Sequence, residues 1–253
     1  MRTVVSSTCL VALALLASAG IAAADEVKVI SVGGVKLGLD PIIADFTKQT
    51  GHQVTYFAGS PAMVSQKLAA GEPFDVVVQS APAMAELAKS NGLKPETRKA
   101  VVRGGIGMAV APNATAPDLS NADAFKKALL SAKSIGVGDP AVPNGSGVVI
   151  QRILAASGIM DTIKPKVKVV GLDPGQELIA KGELELGLMN ASEVRTFVKF
   201  AGPVPAPLQD YTNYEVALTA KSASPAALAF AQFVGGQAAA QHWKTARMEP
   251  EVK

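Results

Sequence analysis

The chain has 253 residues with 24 basic and 21 acidic side chains and a single cysteine. A charge this close to balance excludes nucleic-acid or acidic-membrane binding through bulk charge, so any anion site must be local. The length allows one large domain or two modest ones.

The first residues read as a secretion signal rather than as part of the fold. Arg2 gives a positive start, Val4–Ala19 is almost wholly apolar, and Ala22-Ala23-Ala24 forms a small-residue cleavage site before Asp25. The apolar run is shorter than the ~20 residues that span a bilayer. Cys9 lies ahead of most of that run and not at the cleavage site, so it does not read as a lipoprotein cysteine. Loss of residues 1–24 removes Cys9 and Arg2 and leaves 23 basic against 21 acidic groups. The mature chain then has no thiol chemistry, and its core is large enough to fold without disulfides. The expected location is the periplasm, with no stable membrane insertion after cleavage.

Val27–Ser31 is a short apolar strand that ends in Ser31-Val32-Gly33-Gly34. A helix follows with Leu37, Leu39, Ile42, Ile43 and Phe46 on its apolar stripe, and Thr50-Gly51 ends it. Gln53–Phe57 alternates as a second strand. Ser60 fits an N-cap and Pro61 the first position of a helix over Ala62–Ala70, which Gly71 closes. Phe74–Gln79 is a β-branched buried run and Ala83–Asn91 a third helix. The order β-α-β-α-β-α favours a parallel sheet with helices on its faces.

Ile106–Ala111 is a strand leading away from this unit. It is followed by a helix over 121–132, a strand Ser134–Gly138, a loop Asp139–Gly147 and a helix to Ala156. Val167–Val170 and Leu186–Met189 are strands, with a helical piece Gln176–Ala180 between them. Tyr214–Leu218 is a strand returning from the second unit, and Ala226–Val234 and Ala238–Thr245 are closing helices. This pattern divides the mature chain into one lobe of residues 25–105 plus 214–253 and a second of 106–213, joined by two crossings.

Phe46 with Thr50-Gly51, Ala70-Gly71-Glu72-Pro73 with Asp75-Val76, and Val137-Gly138-Asp139-Pro140 with Val142-Pro143 stand in order along the chain. Gly182-Glu183, Gly187, Ala191-Ser192-Glu193 and Pro225-Ala226-Ala227 with Phe230 and Phe233 follow them. On these residues the chain resembles the type II periplasmic substrate-binding proteins, and within them the molybdate-binding branch. The resemblance implies a two-lobed α/β fold, each lobe a mostly parallel sheet flanked by helices, with the ligand cleft between the lobes. Molybdate binders present a serine after the first strand, where this chain has Gly34, and a tyrosine in the late strand, where it has Asn190. Their second serine corresponds to Ser60 or the residue after it. These departures are similar to a molybdate-binding-like subgroup near which an isomerase of aconitate, a small tricarboxylate, belongs.

Three loops after strands, Ser31–Gly34, Ala58–Ser60 and Asp139–Gly147, offer helix N-termini to an anion. The expected ligand-binding residues are Ser31, Gly33, Gly34, Lys36, Ser60, Pro61, Asn144, Ser146, Gly147, Leu172 and Asn190. Each also has an ordinary reading: Ser60 as a cap alone, Asn144 to Gly147 as a surface turn, Asn190 as a polar strand end, Lys36 as a solvated lysine. Lys36 in the first turn opposes the helix dipole, and that conflict suits a residue facing an anionic ligand.

His52 and His242 fall outside the predicted cleft loops and read as surface residues. No Cys–His pair, HExxH, G-x-S-x-G or P-loop lysine motif is present, so no metal and no cofactor are expected. The favoured reading is a monomeric periplasmic receptor for a molybdate-like oxyanion or small carboxylate, serving an ABC permease in the inner membrane. The alternative is a cofactor-free isomerase of a small polycarboxylate, with Lys36 and Glu193 as catalytic groups and Glu177 as a further candidate. The ordinary reading of Glu193 is a helix N-terminal carboxylate after Ser192.

Overall fold

The fold is built around two short runs of β-branched residues that are buried on both faces. β1 (Glu26–Val32) and β3 (Val76–Ser80) are almost entirely buried, as parallel strands covered by helices on both sides must be. The computed structural model describes residues 24–251. The expected signal segment therefore lies outside the described residues, apart from Ala24. No helix among the described residues is long and apolar enough to cross a membrane.

β1 runs through a 3-10 turn, Gly33–Val35, into α1 (Lys36–Thr50). Gly51 ends α1 at φ +79°, a conformation that favours glycine, and donates its N–H to the Thr47 carbonyl at 2.9 Å. Leu37, assigned above to the apolar stripe, is 48% exposed, while Leu39, Ile42 and Phe46 are buried. β2 (Gln53–Gly59) pairs with β1 in parallel, and α2 (Pro61–Ala69) starts at Ser60. α3 (Ala81–Lys89) follows β3.

The chain then enters β4 (Lys99–Val110), a twelve-residue strand where the sequence suggested only its second half. α4 (Ala122–Ser131), β5 (Ile135–Val137), α5 (Ser146–Ala156), α6 (Met160–Ile163) and β6 (Val167–Val169) come next. α7 (Leu172–Ala180) begins four residues before the helical piece read from the sequence, and leads to β7 (Leu186–Asn190). β8 (Lys199–Pro203), β9 (Tyr211–Leu218), α8 (Pro225–Val234), α9 (Gln237–Thr245) and β10 (Met248–Pro250) complete the chain.

The strands run in the order β2-β1-β3-β9-β4-β7-β5-β6, with β8 and β10 also paired to β4. The orders β2-β1-β3 and β6-β5-β7 are alike, each with its first strand in the middle. In such a sheet the loops after the first and third strands part on opposite faces and leave a crevice at their carboxyl ends. β4 joins the two units. Residues 99–105 pair with β9, and residues 106–110 with β7. At the change of partner, Gln209 accepts the Ile106 N–H and donates to the Ile106 carbonyl, both at 2.9 Å, standing in for a strand.

Each unit has its own apolar core. One gathers Phe46, Met84, Phe230 and Trp243, whose indole N–H donates to the Val234 carbonyl at 3.1 Å. The other gathers Met108, Phe125, Leu129 and Ile153. Trp243 lies so close to Gly38 that no side chain fits there.

Candidate functional site

The carboxyl ends of β1, β3 and β7 and the start of β9 meet at one place. β1 ends at Gly33-Gly34 and β3 ends at Ser80. Tyr214 of β9 is the register partner of Ser80. β7 ends at Asn190 and turns through the 3-10 segment Ala191–Glu193.

The contacts are close because position 34 has no side chain. A methyl group on Gly34 would stand 2.6 Å from the Tyr214 hydroxyl oxygen and 3.3 Å from Nδ2 of Asn190. One on Gly33 would stand 3.4 Å from Oε1 of Glu193. Ser192 donates its hydroxyl to the Gly34 carbonyl at 2.7 Å, which ties the end of β7 to the end of β1 across 158 positions of sequence.

Glu193 is held by its backbone as well as its side chain. Asn190 Nδ2 donates to Glu193 Oε2 at 2.8 Å. The fully buried Gln176 donates to the Glu193 carbonyl at 3.2 Å and accepts the Arg195 N–H at 2.8 Å. Arg247 donates to the Ala191 carbonyl at 3.1 Å. Burial pushes the Glu193 carboxyl above the usual carboxylate range, against the opposing pull of the Asn190 hydrogen bond and the Arg195 charge. Burial also raises the Tyr214 phenol, and the Glu193 charge raises it further.

Among the described residues, two buried polar atoms here have no partner: Oγ of Ser80 and Oδ1 of Asn190. Leaving such an atom unpaired costs about 1–3 kcal/mol, so each atom would gain from a hydrogen-bonding group brought to it. The cluster therefore combines a carboxyl of raised proton affinity, a phenol, and two buried polar atoms without partners among the described residues, at the ends of the strands.

The residues expected from the sequence divide into two sets. Gly33, Gly34, Asn190 and Glu193 come together in this cluster. The hydroxyl of Ser31 is 2.6 Å from that of Tyr56 and also donates to the Val32 carbonyl at 3.1 Å. Lys36 is exposed at the head of α1, with its ammonium 2.5 Å from Asp40 and 5.6 Å from the centre of the Tyr56 ring. Ser60 is exposed and accepts the Met63 N–H at 3.3 Å as the cap of α2, with Pro61 behind it.

In the second unit Asn144 is exposed at φ +60° and Ser146 opens α5. A methyl group on Gly147 would stand 2.5 Å from the Asp139 carbonyl, so glycine here lets α5 sit on that loop. Leu172 opens α7 and packs on the apolar group around Ile179 and Leu184. Among the described residues, none of Asn144, Ser146, Gly147 and Leu172 hydrogen-bonds to the Ala191–Glu193 turn through its side chain. Glu177 is exposed on α7.

The two histidines are half-buried rather than fully exposed. His52 accepts the Asp25 N–H at 3.2 Å, and His242 is 2.7 Å from the Asp45 carboxylate. Among the described residues no group of three His, Cys, Asp or Glu is arranged to hold a metal.

Sequence reasoning missed Ser80, Tyr214, Ser192 and Gln176 as parts of this site. Ser80 carried a visible signal. It sits between the apolar run Val76–Val78 and Ala81-Pro82, the same serine-before-proline helix start that singled out Ser60. Tyr214 had none, because its role follows from register and not from its neighbours in sequence.

Comparison with known proteins agrees with this architecture. A protein described as an aconitate isomerase from a Pseudomonas species is 31% identical over 248 residues, 93% of each chain. The periplasmic molybdate-binding protein of Azotobacter vinelandii has the same fold, with a TM-score of 0.71, 21% identity, and coverage of 88% of this chain and 98% of that one. A substrate-binding domain assigned to a molybdenum ABC transporter of Clostridium difficile gives a TM-score of 0.74 at 16% identity, covering 89% and 99%. The two-lobed α/β fold is thus that of the periplasmic binding proteins. Residues 27–246 match the profile of the bacterial extracellular solute-binding proteins, and the chain belongs to that family.

Proposed function

We propose that this protein is an isomerase of a small polycarboxylate of the aconitate type, working without a cofactor. The observation that carries the reading is Glu193: a half-buried residue whose carboxyl has raised proton affinity, fixed beside Gly33 and next to the unpartnered Asn190 Oδ1. A carboxyl of raised proton affinity suits a substrate that brings a C–H bond to be broken. The relative named an aconitate isomerase, matched over nearly its whole length, supports the same reading.

The chemistry requires only proton movement. Glu193 takes a proton from the substrate methylene carbon. The freed electron pair forms a new carbon–carbon double bond, the old one opens, and a proton is added at its far carbon. The adjacent carboxylates spread the negative charge of the intermediate. Positioned proton transfer of this kind contributes about 10²–10⁴-fold.

A second reading is a receptor that captures an oxyanion or a small carboxylate for an ABC permease, favoured by the structural likeness to molybdate-binding proteins. Either reading places the protein in the periplasm, with the signal cut before Asp25 and with lobes 25–105 plus 214–253 and 106–213 closing on the ligand. Calorimetric titration with molybdate, sulfate, cis-aconitate and trans-aconitate, followed by NMR of the aconitate samples for interconversion, separates the two. The isomerase reading predicts heat from the aconitates and none from the oxyanions. Micromolar molybdate binding with inert aconitates would replace it by the receptor.

A further inference from the structure

Resting on that reading, we propose that Tyr214 is the second proton-handling group, the acid that protonates the far carbon of the shifting double bond. Its hydroxyl faces Gly34 and the Glu193 carboxylate faces Gly33, so the two groups address consecutive residues of one turn. Neither residue of that turn has a side chain to stand between them.

Tyr214 is built into the place rather than exposed at it. It is 4% exposed, and a methyl group on Gly104 would stand 3.2 Å from its ring. Its strand partner Ser80 carries an unpartnered buried hydroxyl on the same face of the sheet. That hydroxyl is suited to support a phenolate. Burial and the charge of Glu193 keep the phenol protonated in the resting protein, as an acid waiting for substrate requires.

The steps balance. Glu193 carboxylate becomes carboxylic acid as the methylene C–H breaks. The Tyr214 O–H breaks as the new C–H forms at the far carbon, leaving a phenolate. The proton on Glu193 then passes to Tyr214, and both groups return to their starting states. No electron is gained or lost.

The test is Tyr214→Phe in the full-length protein, assayed with cis-aconitate in D₂O by proton NMR, beside Glu193→Gln and wild type. The expected result is a fall in kcat of at least ~100-fold with KM within about threefold, while deuterium still enters the substrate methylene. Glu193→Gln should lose both exchange and isomerisation. Tyr214→Phe isomerising at the wild-type rate would overturn the proposal and leave Glu193 acting alone. A wild type that binds and converts no aconitate would overturn the isomerase reading itself, and this proposal with it. Should Tyr214→Phe fail to fold, replacement of all three tyrosines by fluorotyrosine answers the question. The more acidic phenol should move the alkaline limb of the kcat profile to lower pH, and an unmoved limb would exclude Tyr214 as the acid.

Discussion

Asn190 donates its amide to Glu193 at 2.8 Å and leaves its own carbonyl oxygen buried without a partner. One side chain thus orients the candidate base and keeps a hydrogen-bonding position open for the ligand. Its donated bond also holds the Glu193 carboxyl lower than burial alone would set it.

Asn190→Ala removes both roles. Turnover should fall by about 10–100-fold. The acidic limb of the kcat profile should move to higher pH, because burial of Glu193 is then unopposed by that bond. A pH–rate series on the variant checks the direction.

Glu193→Gln should stabilise the protein at neutral pH. The folded protein raises the Glu193 carboxyl above its unfolded value, so the fold favours the protonated form. That favour is complete below the unfolded value near 4.5 and is lost as pH rises through the raised one. Glutamine carries no such dependence. The Tm difference between variant and wild type should be small at pH 4 and grow to a few degrees by pH 8, read by thermal melts across that range.

The strand-and-helix alternation of the first eighty residues was legible in the sequence because β-branched runs and glycine helix ends are local signals. Gly51 and Gly71 end their helices at φ +79° and +75°, where glycine is favoured. The first half of β4 was not legible, since Gly104-Gly105 breaks the apolar pattern where the strand changes partner. β8, which ends in Gly202-Pro203, and β10, with only three residues, were not read as strands. The first-turn lysine, Lys36, has a simpler local partner in Asp40 at i+4. In the site, Gly34 and Asn190 stood out against the family pattern, and Glu193 as a candidate base. Ser80 opposite Tyr214 is a pairing of residues far apart in sequence, and no local pattern shows register.

Gly34→Ala tests the close packing of the turn. The added methyl group would meet the Tyr214 hydroxyl at 2.6 Å, inside contact distance, so the ring must move. Overpacking costs about 1–3 kcal/mol, which a chain of this size shows as a Tm lower by about 2–10 °C. Turnover should fall more than tenfold. Gly34→Ser, the residue the molybdate binders carry, should lose turnover without gaining molybdate binding. Calorimetry checks that second expectation.

Gln176→Leu leaves the Glu193 carbonyl and the Arg195 N–H without their buried partner. The expected loss is about 1–3 kcal/mol per group, with kcat reduced and substrate affinity less changed. Denaturant unfolding beside steady-state kinetics separates the two effects.

The most direct test is to incubate the purified protein with cis-aconitate alone, without added metal or cofactor, and follow the vinyl proton by NMR. The account predicts growth of the trans-aconitate resonance to equilibrium in wild type and none with Glu193→Gln. An unchanged cis-aconitate spectrum in wild type, or full activity in Glu193→Gln, would contradict it.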